Sequence, residues 1–108
     1  MATIRPDERR LEEPLLTELV GGLEGWASDG TRLEKTFVRK GWKSAVAFVN
    51  AVADAATAAD HHPDIHLEGY KRVRVVLTTR ISKGISQADI GLASAIDRLA
   101  GAVTSTGR

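Results

Sequence analysis

A proline decides where the longest helix of this chain must end. Trp42, Ala45, Val46, Val49, Val52, Ala53 and Ala56 make one apolar stripe at helical spacing. The stripe predicts a helix from Trp42 to Ala59. Pro63 closes it, because the residue before a proline avoids the α region. Past the proline, Val73, Val75 and Leu77 alternate with Arg72 and Arg74, which predicts a strand from Lys71 to Thr79 with one buried face. The chain therefore turns from helix to sheet inside Asp60-His61-His62-Pro63-Asp64.

The rest of the chain fits around that junction. Leu15, Leu16, Leu19 and Val20 predict a helix over Glu12–Leu23, with Pro14 tolerated in its first turn and Gly21-Gly22 near its end. Trp26-Ala27 and Arg32–Val38 read as strands joined through Asp29-Gly30, a hairpin signal. Ile65–Glu68 reads as a short strand ending at Gly69. Ser86 and Asp89 form a capping-box-like start to a last helix running to about Val103, with Ile90, Ala93, Ile96 and Ala100 on its apolar face. The order α-β-β-α-β-β-α predicts an α+β fold: a four-stranded antiparallel sheet with helices packed on one face. The open face or edge invites a second subunit. One domain spans 11–103, with a flexible arm at 1–10 and a frayed tail at 104–108.

Composition narrows the function classes. Fifteen Lys and Arg against fourteen Asp and Glu give a net charge of +1, no electrostatic case for nucleic acid as a direct partner. With no cysteine, disulfides, thiolate catalysis and cysteine zinc sites are excluded. No apolar run reaches the ~18 residues of a membrane span, and the polar N-terminus is not a secretory signal. A cytoplasmic location is expected.

The helix-to-strand junction holds the chemistry. Imidazoles exchange protons near neutral pH, and the negative end of a helix favours the protonated form. Asp60 and Asp64 flank His61 and His62 and can orient a ring by accepting an N–H bond. A histidine pair there is equally consistent with simple surface or capping residues. Asp89 reads as a substrate ligand or as a capping acid. Trp26 and Trp42 read as stacking platforms or as core, with core favoured for Trp42. His66 could join the pair on a metal or lie solvated on a strand; without thiolates no metal site is assigned. Lys35 and Arg39, like Lys71, Arg72 and Arg74, read as solvated basic faces.

The succession Asp60-His61-His62-Pro63, Tyr70, Leu77-Thr78-Thr79, Gly84-Ile85-Ser86 and Asp89-Ile90 resembles the pterin-4a-carbinolamine dehydratases, from about Leu15 to Leu99. The resemblance implies dehydration of 4a-hydroxytetrahydropterin to quinonoid dihydropterin, recycling the pterin of aromatic amino acid hydroxylases. It also implies no metal or organic cofactor, and a homodimer or homotetramer. Carried over by residue, it implies His61 for proton transfer, His62 for pterin contact and possible proton transfer, and Asp60, Pro63, Thr79, Asp89 and Trp26 at or near the pterin. The chain departs from the family in two places. Thr57 stands where an acidic residue is common, and Arg80 stands where a strand histidine is usual. Arginine cannot shuttle a proton, but it can hold an anionic oxygen or a carbonyl, so Arg80 is assigned an electrostatic part. Relatives on this fold also serve as a dimerisation cofactor of a transcription factor and as a Rubisco assembly factor. A non-catalytic interaction protein is therefore the alternative.

Overall fold

A computed structural model describes residues 4–106, with side-chain burial to residue 101. Residues 1–3 of the expected arm and 107–108 of the expected tail lie outside the described residues. In chain order the main elements are α1 (Leu15–Gly21), β1 (Ala27–Ser28), β2 (Leu33–Val38), α2 (Trp42–Ala59), β3 (Asp64–Glu68), β4 (Arg72–Leu77) and α3 (Gln87–Thr106). Short 3-10 turns lie at Pro6–Glu8 and Arg80–Ser82. This is the expected α-β-β-α-β-β-α order.

All strand pairs are antiparallel, in the order β1-β2-β4-β3. The register sorts side chains by face. Leu33 opposes Leu77, Lys35 opposes Val75 and Phe37 opposes Val73; across β4, Ile65 and Leu67 complete two of these rows. Their apolar members are buried or half-buried beneath the helices. Of the intervening residues, Glu34, Thr36, Val38, His66, Glu68 and Arg72 are exposed and Arg74 is half-buried, while Val76 near the end of β4 is buried. Period-two alternation therefore leaves one face of the sheet uncovered.

Helix α2 has the expected bounds, but its buried stripe is Ala45, Phe48, Val52 and Ala56. Trp42, expected in the core, is 59% exposed. It lies in the first turn of α2, while the aromatic anchor is Phe48, whose ring centroid sits 4.9 Å from that of Phe37. Helix α1 is shorter than expected because Pro14 takes the N-cap position and Gly22 the C-cap. Lys35 also departs from the solvated reading. It points to the covered side, donates to Asp97 and to the Glu24 carbonyl at 2.9 Å each, and lies 4.9 Å from the Phe37 ring centroid. Residues 104–106 continue α3. No helix among the described residues is long and apolar enough to cross a membrane.

Candidate active site

The end of α2 is built to turn one imidazole inward. Asp60 adopts the left-handed conformation (φ 50°), which aspartate tolerates better than most residues. The Asp60 N–H then reaches the Thr57 carbonyl and the His61 N–H the Ala56 carbonyl, both at 3.1 Å. This paired closure satisfies two terminal carbonyls and reverses the chain. Beyond it, half-buried Pro63 leads straight into β3. His61 is buried and its neighbour His62 is exposed.

His61 does not use the flanking carboxylates. Its Nε2 lies 2.6 Å from Asp89 Oδ1, in the first turn of α3. The other oxygen, Asp89 Oδ2, accepts from Thr79 Oγ1 at 2.7 Å and from the Ser86 backbone N–H at 2.9 Å. Thr79 Oγ1 also lies 2.6 Å from Ser86 Oγ. Since the Thr79 hydroxyl hydrogen is spent on the carboxylate, Ser86 Oγ donates in that pair. All four side chains are buried. Of the two readings of Asp89, the capping one is met: one oxygen completes the capping arrangement at Ser86, and the other holds the histidine rather than facing the cavity. The hydrogen bond to Asp89 raises the affinity of His61 for its proton, against the opposing effect of burial. The expected cause was the helix end; the leading cause in the structure is this carboxylate.

A cavity of about 190 Å³ opens beside His61. His62, Asp60, Asp64, Thr79, Arg80, Glu8, Val76, Thr78 and Ile81 complete its lining. Strand β4 ends at Leu77, so Arg80 sits in a 3-10 turn at the rim rather than in strand register. Its side chain is 79% exposed and reaches Asp64 at 3.5 Å. Asp60 pairs with Arg5 at 3.4 Å instead of with a histidine ring. His66 stands apart on the uncovered sheet face, opposite Arg74.

The geometry gathers His61, His62, Arg80, Asp60 and Thr79 at the cavity, with Asp89 behind His61. Pro63 contributes backbone direction, not lining. Trp26 is displaced from its expected place. It is buried in the core against Phe37, 6.0 Å between centroids, and its Nε1 is shared between the two Asp97 oxygens at 3.1 Å. Its one donor is satisfied there, and its ring is not part of the cavity wall. Sequence reasoning missed Glu8, Val76, Thr78 and Ile81. The last two flank expected residues, whereas nothing in the pattern around Glu8 pointed toward a histidine 53 positions away.

The family model described as pterin 4 alpha carbinolamine dehydratase matches residues 9–99. A relative from Thermomicrobium roseum is 42% identical over 91 residues, 84% of this chain and 97% of its own length. One from Koribacter versatilis is 41% identical over 91 residues, 84% of this chain and 96% of its own. Both are provisionally named pterin-4-alpha-carbinolamine dehydratases. Among solved structures, a transcriptional coactivator/pterin dehydratase from Brucella melitensis superposes with a TM-score of 0.79 at 33% identity, covering 86% of this chain and 100% of its own. A pterin dehydratase-like protein described as a RuBisCO assembly factor in the alpha-carboxysome gives 0.59 at 25%, covering 70% and 87%.

Proposed function

This chain belongs to the pterin 4 alpha carbinolamine dehydratase family, and from that premise we propose that it dehydrates 4a-hydroxytetrahydropterin to quinonoid dihydropterin. The observation that carries the reading is a buried histidine at a cavity, clamped by a carboxylate that favours its protonated form.

The reaction is a redox-neutral elimination. The C4a–O bond breaks and the hydroxyl leaves as water. A ring N–H proton is lost, and its bonding pair closes a C=N bond. With Nε2 engaged by Asp89, the other nitrogen of His61, Nδ1, is the one left for the departing hydroxyl. Protonated His61 donates there. The neutral ring that remains keeps its Nε2–H bond to Asp89, so tautomer and orientation persist through the step. His62 contacts the pterin and serves as a second proton carrier. Arg80 supplies a fixed positive charge at the rim for the carbonyl or the developing anion. Association of two or four copies, through the uncovered sheet face or the β3 edge, belongs to the same reading.

The alternative of an interaction protein draws on Arg80 itself, an exposed cation where a proton carrier is usual, and on the assembly factor among the structural neighbours. One assay separates the two. The carbinolamine is generated in situ and its decay followed with wild type, His61→Ala and Arg80→His. Dehydration well above the uncatalysed rate, reduced about 10²–10⁴-fold in His61→Ala, is the expected result. Background decay with wild type, restored in Arg80→His, would transfer the assignment to the non-catalytic reading.

A further inference from the structure

We propose that the segment Arg5–Glu8 sets Glu8 into the wall of the active-site cleft, and that Glu8 orients the ligand by accepting an N–H bond from the aminopyrimidinone edge of the pterin. The inference rests on the pterin reading above and adds a recognition group to it. Because the family match begins at residue 9, the segment lies outside the matched residues.

The segment is held at both ends. Arg5 donates through Nη2 to the Asp60 carbonyl at 3.2 Å, and its Nη1 lies 3.4 Å from Asp60 Oδ2. This ties the segment to the end of α2. Downstream, the Leu11 N–H donates to the Ile85 carbonyl at 2.8 Å, beside a bridge between Arg10 and Ser86. Between these ties the Pro6–Glu8 turn brings the Glu8 side chain into the wall shared with His61, His62 and Arg80.

Three carboxylates line the cleft, and their exposure separates them. The Asp60 side chain is 80% exposed and Asp64 51%, but Glu8 only 19%. A bond to Glu8 is thus the least screened of the three. Both of its contacts, from Arg5 N at 3.0 Å and Arg5 Nε at 3.2 Å, fall on Oε1. Among the described residues Oε2 is left for a ligand. The charge of Glu8 also adds to the proton affinity of His61, while Arg5 opposes it. The other charged or titratable groups facing the cleft are Asp60, His62, Asp64 and Arg80. A pterin carries two adjacent donors, the 2-amino group and N3–H, and Oε2 can accept from the 2-amino group. A 2-oxo ring keeps N3–H but sets a carbonyl oxygen where the amino donor stood, which faces the carboxylate unfavourably.

The test measures binding of 7,8-dihydropterin and of its 2-oxo counterpart, 7,8-dihydrolumazine, to the full chain, with far-UV circular dichroism verifying the fold. Wild type is expected to prefer the 2-amino ligand by about tenfold. Glu8→Gln should shrink that preference to below about threefold, and Glu8→Asp should retain more of it than Glu8→Gln. A preference equal in wild type and Glu8→Gln overturns the role of Glu8 and leaves the pterin reading intact. Failure of wild type to bind either ring removes the pterin reading, and the inference with it.

Discussion

At the scale of single residues, the site depends on one contact, Asp89 against His61. A buried carboxylate there accepts from a ring nitrogen, a hydroxyl and a backbone N–H, bonds that replace the water it has lost. Asp89→Asn changes little in shape but removes the carboxylate. The proton affinity of His61 should fall, since the bond to Asp89 is the largest cause of its rise. NMR titration of the His61 ring reads this directly. Loss of about 1.5–3 kcal/mol of stability and of roughly 10²-fold in dehydration rate should accompany it. An unmoved His61 titration in the variant would show that the carboxylate does not set the protonation state. This contact was not legible in the sequence. Asp60 and Asp64 were the neighbours in view, but Asp60 points toward Arg5 and Asp64 toward Arg80. The partner that matters lies 28 positions on, and only packing of α3 against the end of α2 brings it there. Arg80 was legible as a substitution, but its place at a rim followed from the break in strand register after Leu77.

Elements were more legible, because periodicity is a local property. Helix α2 was readable in full: Gly41 precedes it and the junction closes it. Phase within the helix was not. A stripe drawn through Val46, Val49 and Ala53 misses Phe48, which is fully buried, while Ala53 is exposed. Apolar identity alone does not say which of several adjacent rows meets the sheet; the contact between Phe48 and Phe37 does. The contrast makes an energetic expectation. Phe48→Ala should cost about 3–5 kcal/mol in chemical denaturation. Trp42→Ala, at the exposed start of the same helix, should stay within about 0.5 kcal/mol. Equal costs would mean that Trp42 is covered in solution. Strand β4 was readable by alternation, whereas β3 and β1 were blurred by short length. The turn between β3 and β4 shows why Gly69 was a sound marker: Gly69 and Tyr70 both take positive φ, a left-handed pair suited to a tight reversal.

For the whole molecule, protonation and folding are linked. His61 binds its proton more tightly when folded than when unfolded. Its contribution to stability is therefore complete below the ordinary histidine value of 6.5 and disappears as pH rises through the higher folded value. Glu68, Asp29 and Glu13 shift the other way, lowered by bonds from Arg74, from Thr31 and Arg32, and from Thr17 respectively. Their contributions hold above the ordinary carboxylate range and fade as pH falls; all three are solvent-exposed and small. Denaturation midpoints measured between pH 5 and 9 should fall on the alkaline side in wild type and be flatter in His61→Gln. Parallel curves would break the linkage. The chain of hydrogen bonds from Ser86 through Thr79 and Asp89 to His61 also joins the ends of α2, β4 and α3. A collapsed intermediate with every helix formed but α3 undocked would have both imidazoles and no clamped acid. Under the proposed function, turnover would report completed tertiary assembly, and a destabilised variant should lose activity before it loses its helical signal.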